Sequence, residues 1–293
     1  MQEDIWITVI CSCYNHSSFV AESLKSVLNQ SHKNIQLIVV DDFSSDNSVS
    51  IIEKFLSNFP QILFIKNESN LGITTSFNNA MKFAEGEFII DLAADDILLA
   101  NCVQTQLEAF NTSKLKNLAI VYGNAEFISE KGTHISYYFD VDFNFKTINK
   151  RPFGDLYTEV ISDKTVICSV TAMVKKSVFD ALNGYDENLT YEDFDFWIRV
   201  SRTYNIDFID TVLVQKRIVP NSLHASFFKP NNKHGYSTNL ILKKAFSLNK
   251  SKKENKILLK RINLEIKIAI KTKNYFLVIK NSILRIRVGL KSI

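Results

Sequence analysis

Leu92-Ala93-Ala94-Asp95-Asp96 ends a short apolar run with two adjacent carboxylates. Phe88-Ile89-Ile90-Asp91-Leu92, preceded by Gly86, reads as a buried strand, because branched and aromatic residues crowd it. Two acids where such a strand stops repel one another unless a cation or hydrogen-bond donors satisfy them. Mg²⁺ and Mn²⁺ do this well, since both prefer carboxylate oxygens and bridge readily to phosphate. Side chains alternate along an extended segment, so one carboxylate can hold a metal while its neighbour faces a ribose or a backbone amide. The pair alone is also compatible with a solvated turn or a helix cap. Its surroundings decide.

The elements that would position this pair are legible upstream. Ile5 to Cys13 is a strand rich in Ile, Val and Thr, and Ser17 or Ser18 is expected to cap the helix that follows. Val20, Leu24 and Val27 or Leu28 form that helix's apolar stripe. Ile35 to Val40 is a second buried strand ending in Asp41-Asp42, and Ser44 to Phe59 a second helix. A third strand, Ile62 to Ile65, a turn at Asn70-Leu71-Gly72 and a helix from Thr74 to Ala84 lead to the strand before Asp95. Strands alternating with helices predict an α/β fold: a mostly parallel nucleotide-binding sheet flanked by helices. Ligands of such sheets bind beyond the carboxyl ends of the strands. Cys13-Tyr14-Asn15, Asp41-Asp42 and Asp95-Asp96 would all lie on that rim.

The second half is less regular. Short strands are expected at Ile120 to Tyr122 and Ala125 to Ile128, then an irregular segment from Asp140 to Asp163 of a length typical of functional loops. Val166 to Val174 reads as a strand, Ser177 to Leu182 as a helix, and Tyr191-Glu192-Asp193 opens another helix running to Tyr204. Ile206 to Ile209 and Val212 to Val219 are late strands.

Composition narrows the classes. With 46% hydrophobic and 23% charged residues the chain is an ordinary globular protein, and no run approaches the roughly 18–20 apolar residues of a membrane span. No basic stretch followed by an apolar core marks a secreted chain, and Cys11, Cys13, Cys102 and Cys168 follow no zinc or disulfide spacing. A reducing cytoplasm fits. The net charge of +4 hides an asymmetry: Lys250 to Ile293 carries 13 Lys or Arg against 2 Glu, so the rest is net −7. A body without a basic face argues against a nucleic-acid partner.

At these residues the sequence resembles the family 2 glycosyltransferases, which have the glycosyltransferase A fold. The marks are Thr8-Val9-Ile10-Cys11-Ser12-Cys13-Tyr14-Asn15, Leu37-Ile38-Val39-Val40-Asp41-Asp42-Phe43-Ser44, Asn70-Leu71-Gly72, Gly86-Glu87-Phe88-Ile89, Ala94-Asp95-Asp96 and Tyr191-Glu192-Asp193-Phe194-Asp195-Phe196-Trp197. The resemblance covers about residues 5 to 224. It implies a catalytic domain over 1–225, with a donor-nucleotide half to about 115 and an acceptor half beyond; a basic helical extension over 226–293 is expected to follow. It also implies inverting transfer of a sugar from a nucleotide diphosphate, UDP being the expected carrier, to a hydroxyl of a glycan or lipid-linked acceptor. Bacterial surface polysaccharide or glycolipid assembly is the expected setting. By position, Asp42 would accept from the ring N–H of the base, with Ser12, Tyr14 and Asn70 beside it. Asp95 would face the ribose and Asp96 would hold Mg²⁺ or Mn²⁺. Asp193 would be the general base, with Glu192 and Trp197 toward the acceptor.

Three departures stand out. Many relatives have a further Asp where Ala93 stands, and Arg where Phe77 stands. A late loop often supplies a His near Arg217 to Ser222; Val219 occupies the expected position, leaving His224 as a weak candidate. Other classes remain to be separated. A sugar-phosphate nucleotidyltransferase would want a Gly-rich, basic loop after the first strand, where Cys13-Tyr14-Asn15-His16 stands. A phospho-acceptor signalling domain explains neither Glu192-Asp193 nor the length. A catalytically inactive, transferase-like binding protein has no need of Asp42, Asp96 and Asp193 together.

The basic extension lies outside the resemblance. Leu258, Ile262, Ile266 and Ala269 or Ile270 share one helical face, and Phe276, Ile279, Ile283 and Ile286 repeat the pattern. Peripheral attachment of both helices to an anionic membrane is the expectation, packing on protein the alternative.

Overall fold

The computed structural model describes residues 5–163, 165–219 and 232–292. Strands β1 (Ile7–Cys13), β2 (Ile35–Asp41), β3 (Leu63–Lys66) and β4 (Phe88–Ala93) alternate with helices α1 (Val20–Leu28), α2 (Ser48–Leu56) and α3 (Ile73–Met81). After β5 (Ile97–Leu98) come α4 (Cys102–Thr112), β6 (Leu118–Ile128), β7 (His134–Tyr137), α5 (Tyr157–Ser162), β8 (Met173–Lys175), α6 (Lys176–Ala181), α7 (Asp193–Ser201) and β9 (Asn205–Arg217). Three helices end the chain: α8 (His234–Leu248), α9 (Lys252–Lys271) and α10 (Tyr275–Leu290).

One sheet has the order β3-β2-β1-β4-β8-β6-β9-β5, with β7 on β6. The β3-β2-β1-β4 half is parallel; β8 runs against both β4 and β6, and β9 is parallel to β6. The sheet is mostly parallel, as expected. Its central strands are Ile- and Val-rich on both faces because helices cover both. Gly86 lets β4 start against β1: a Cβ there would stand 2.4 Å from the Thr8 nitrogen.

Several local expectations change. The two short strands at 120–128 are one bulged strand, β6, and the two late strands are one, β9; their pairing shifts register around Tyr122 and Asn124. Most of Val166 to Val174 is not strand: a 3₁₀ turn at Ser169–Thr171 precedes the short β8. Neither Ser17 nor Ser18 caps α1, which starts after Phe19 without a side-chain cap.

The basic extension is part of the body. Ile241, Leu242, Leu258, Ile262, Leu284 and Val288 join the same hydrophobic core as the sheet. Leu258, Ile262 and Ala269 of α9 are fully buried, so that helix packs on protein and does not offer its apolar face to a membrane. Lys244 of α8 pairs with Asp195 at 2.7 Å, and the Arg261 guanidinium of α9 lies 5.0 Å from the centre of the Phe194 ring. Both clamp the start of α7.

Candidate active site

Parallel pairing brings the strand ends together. Cys13 is in register with Asp41 and Ser12 with Ala93, and the pairing continues past the strands as Asp42 N–H bonds Cys13 O and Ala94 N–H bonds Ser12 O. The three motifs therefore share one rim. Asn15 and Phe43, just beyond β1 and β2, have φ of 59° and 65°, a region costly for a residue such as Phe. Asn15 Oδ1 accepts from the Ser45 amide at 2.8 Å and its own amide bonds Ser44 Oγ at 2.8 Å, which locks the two loops together.

Asp41 and Asp42 differ sharply in role. Asp41 is used up locally, accepting from the Ser44 amide and hydroxyl at 2.8 and 2.6 Å. Asp42 reaches across to the turn before α3: Oδ1 accepts from Leu71 N at 2.8 Å and Asn67 Nδ2 at 2.9 Å, and Oδ2 from Gly72 N at 2.9 Å. Gly72 has φ of 82°, so a side chain there would be strained. Asn70 donates to the Asp42 carbonyl at 3.3 Å. A carboxylate offers about four lone-pair sites, so Asp42 retains room for one more donor. Tyr14 stands half exposed on the rim, and Ser12 Oγ is buried there without a partner.

The Asp95-Asp96 turn is held from β9. Asp96 is buried and its Oδ1 accepts from the Arg217 amide at 2.9 Å, while Arg217 Nε donates to the Asp95 carbonyl at 3.1 Å. The same guanidinium reaches the Ser129 and Glu130 carbonyls and Glu22 Oε2. Burial, with the Asp95 charge next, pushes the Asp96 carboxyl up to about 7. Asp95 Oδ1 lies 3.8 Å from His16 Nδ1, which is shielded from solvent and has no hydrogen-bond partner. Pro220 to Ser222 and His224 lie outside the described residues.

Asp193 opens α7. Its Oδ2 accepts from Ser169 Oγ at 3.0 Å, and Ser169 Oγ in turn accepts from Trp197 Nε1 at 2.9 Å. Its Oδ1 accepts from the Phe194 amide at 2.6 Å. Trp197 is buried, lines the same cavity as Asp193 and props the carboxylate through Ser169. Asp193, Glu192, Asp91, Ala93 and Tyr185 line a cavity of about 80 Å³ at the end of β4. Glu192 Oε2 is buried there with no partner, and burial pushes its carboxyl well above the usual carboxylate range, the charges of Asp193 and Asp91 adding to this. A larger cavity of about 360 Å³, between Glu126, Tyr137, Phe145 and Lys146, contains none of the expected site residues.

Sequence reasoning missed Asp91, Ser169, His16 and the clasp made by Arg217. Asp91 and Ala93 face the same cavity. Tyr185 OH donates to Asp91 Oδ2 at 3.2 Å. Phe77, where many relatives have Arg, is fully buried against Phe179 and Tyr185 and belongs to the core behind this cavity.

Burial pushes the Asp91 carboxyl up to about 7, the Tyr185 bond opposing and the Asp193 charge reinforcing. A carboxyl raised on folding binds its proton more tightly in the folded state, so its stabilisation is present at low pH and is lost as pH rises toward 7. Asp91→Asn is therefore expected to melt like wild type near pH 4 and to be more stable at pH 8, by up to about 4 kcal/mol at roughly 1.4 kcal/mol per pKa unit. Equal melting temperatures at pH 8 would mean that the Asp91 charge costs the fold nothing.

Among the described residues, six buried side-chain polar atoms lack a hydrogen-bond partner, and three of them (Ser12 Oγ, His16 Nδ1 and Glu192 Oε2) belong to this rim and cavity. Buried groups left unpaired are uncommon, and a water, an ion or a ligand can complete their bonding. No cluster of three His, Cys, Asp or Glu side chains fit to hold a metal occurs among the described residues. Two carboxylates, Asp95 and Asp96, still suit a hard cation shared with a diphosphate, because Mg²⁺ commonly takes one or two carboxylates and completes its shell with phosphate and water.

Known proteins resemble this chain in sequence and in fold. The profile of "Glycosyl transferase family 2" matches residues 8–182. An uncharacterized glycosyltransferase of Methanocaldococcus jannaschii, MJ1057, is 30% identical over 79% of this chain and 77% of its own length. The Escherichia coli UDP-Glc:alpha-D-GlcNAc-diphosphoundecaprenol beta-1,3-glucosyltransferase WfgD is 26% identical over 78% of this chain and 83% of its own. Several Rickettsia glycosyltransferases are matched over 34% to 66% of their lengths. Among solved structures, the mannosyltransferase PcManGT of Pyrobaculum calidifontis, in complex with GDP-Man and Mn²⁺, superposes with a TM-score of 0.61 at 15% identity, over 96% of this chain and 74% of its own. That likeness is one of fold. With the profile covering more than half of the chain, the protein belongs to glycosyl transferase family 2.

Proposed function

We propose that this enzyme transfers a sugar from a nucleotide-diphosphate donor, most plainly a UDP-sugar, to a hydroxyl of a glycan or lipid-linked acceptor, with inversion. The observation that carries the reading is the set of unpaired polar atoms on a rim that already holds Asp42, Asp95, Asp96 and Asp193. Asp42, Ser12, Tyr14 and Asn70 would bind the base, Asp42 through its remaining lone pairs. Asp95 would face the ribose, with His16 beside it. Asp96 would hold Mg²⁺ or Mn²⁺ through Oδ2, since Oδ1 is committed to Arg217. The metal would neutralise charge on the departing diphosphate, so no protein acid is needed. One base then suffices for an acceptor hydroxyl attacking from the opposite face.

Two neighbouring carboxyls, Glu192 and Asp193, could in principle take that proton. Burial, with the charges of Asp193 and Asp91 adding to it, pushes the Glu192 carboxyl well above the usual carboxylate range, which favours its protonated form over the basic one. Asp193 is the one held in a fixed direction, by Ser169 and the Phe194 amide. A lipid-linked acceptor and a UDP-sugar donor are both supported by the likeness to WfgD, and Mn²⁺ by that to PcManGT. The reading also gives the protein a place at the cytoplasmic face of the cell membrane.

Thermal shift against nucleoside diphosphates tests the donor side, because a ligand bound only by the folded state raises the melting temperature by mass action. UDP with Mn²⁺ is expected to give the largest rise, and UDP alone a smaller one. No nucleotide shifting the melt with either Mg²⁺ or Mn²⁺ would contradict the reading.

A further inference from the structure

The last helix carries an apolar stripe that the other described residues leave mostly open, Phe276 alone in it having a ring partner among them, Tyr236 of α8, with ring centres 6.2 Å apart. Leu277, Asn281, Leu284 and Val288 of α10 are buried against the body. Tyr275, Phe276, Ile279, Ile283, Ile286 and Leu290 are instead 48% to 71% exposed. At about 100° per residue these six fall within a sector about 100° wide, centred roughly 160° from the buried face. The stripe points straight away from the protein. Cations flank it: at the same 100° per residue Arg287, Lys280 and Lys291 fall about 20° to 60° beyond one edge and Arg285 about 80° beyond the other, and no Asp or Glu follows Glu265 in the sequence.

We infer that α10 lies flat on an anionic lipid surface, with this stripe among the acyl chains and its flanking cations at the phosphates. Apolar width, outward direction and one-signed flanks are the three features such interfacial helices combine. Among the described residues no helix is long and apolar enough to cross a membrane, so contact would be of this lying kind. A second copy of the chain is the less suitable occupant. Two stripes meeting face to face would bring both sets of cations together with no carboxylate after Glu265 to offset them. The inference narrows the sequence expectation to one helix, since α9 spends its apolar face on the core. It explains how an enzyme of the proposed kind would meet a lipid-linked acceptor, yet lipid binding is measured without turnover.

The test is flotation of the full chain with phosphatidylcholine vesicles, with and without phosphatidylglycerol. Wild type is expected to float with the anionic vesicles, less so as salt is raised, and to stay behind with neutral ones. Ile279→Ser/Ile283→Ser/Ile286→Ser should abolish flotation while the melting temperature and its shift by UDP with Mn²⁺ are unchanged. Arg285→Glu/Arg287→Glu should weaken partitioning at least tenfold. Equal recovery of wild type and both variants would overturn the inference and leave the transferase reading intact. So would sedimentation showing a dimer that the triple Ser variant turns into monomer, which would assign the stripe to a second copy.

Discussion

Asp193→Asn is expected to reduce turnover by a factor on the order of 10² to 10⁴ while donor affinity changes little. The substitution keeps the shape of the side chain and removes its ability to take a proton. Asn can keep its oxygen on the Phe194 N–H and donate its amide to the remaining lone pair of Ser169 Oγ, so the loss of rate should come with little loss of stability. Ser169→Ala separates positioning from proton transfer. It leaves the carboxylate in place and unsteered, so kcat should fall less than in Asp193→Asn, with the donor KM unchanged. Near-normal turnover in Asp193→Asn would move the role to Glu192.

The second large effect concerns Asp96. Asp96→Asn preserves an oxygen for the Arg217 amide, so the turn and the fold should persist. Losing the carboxylate should nevertheless abolish the gain in UDP affinity that Mn²⁺ brings. Removing an outer-shell partner of a metal typically costs 10–100-fold, and a direct ligand should cost at least that. Calorimetric titration of UDP with and without Mn²⁺ reads it directly. Unchanged Mn²⁺ dependence in the variant would place the metal elsewhere. Arg217→Ala is a useful contrast, since it strips bonds from the Asp95, Ser129 and Glu130 carbonyls and should destabilise the fold generally.

The first half of this site is legible because a parallel sheet does the geometry. Once Ile7–Cys13, Ile35–Asp41 and Phe88–Ala93 are recognised as neighbouring parallel strands, their carboxyl ends must share a rim. Asp193 is legible through the motif at the start of α7. The rest needs contacts made late in the chain. Asp91 sits inside an apolar run and reads as part of a buried strand; the cavity that gives it meaning is completed by Tyr185 and Asp193, about a hundred residues on. Ser169 hides in a run of strand formers that bends into a 3₁₀ turn, where its hydroxyl meets Asp193 and Trp197 of α7. His16 and Arg217 carry no local signal, since each acquires its role only from the Asp95-Asp96 turn it approaches. The tail shows the same limit: periodicity marks an apolar face on α9 and another on α10, but only the packed structure tells which is covered.

The central claim is that a single carboxylate, Asp193, drives displacement at the anomeric carbon with inversion. Slow hydrolysis of the donor, with water standing in for the acceptor, tests it without knowledge of the acceptor. Proton NMR can follow the first sugar released from an α-linked UDP-sugar before mutarotation scrambles it. The account predicts the β anomer as first product, formed with Mn²⁺ by wild type and far more slowly by Asp193→Asn. An α anomer as first product, or equal rates for the two proteins, would contradict it.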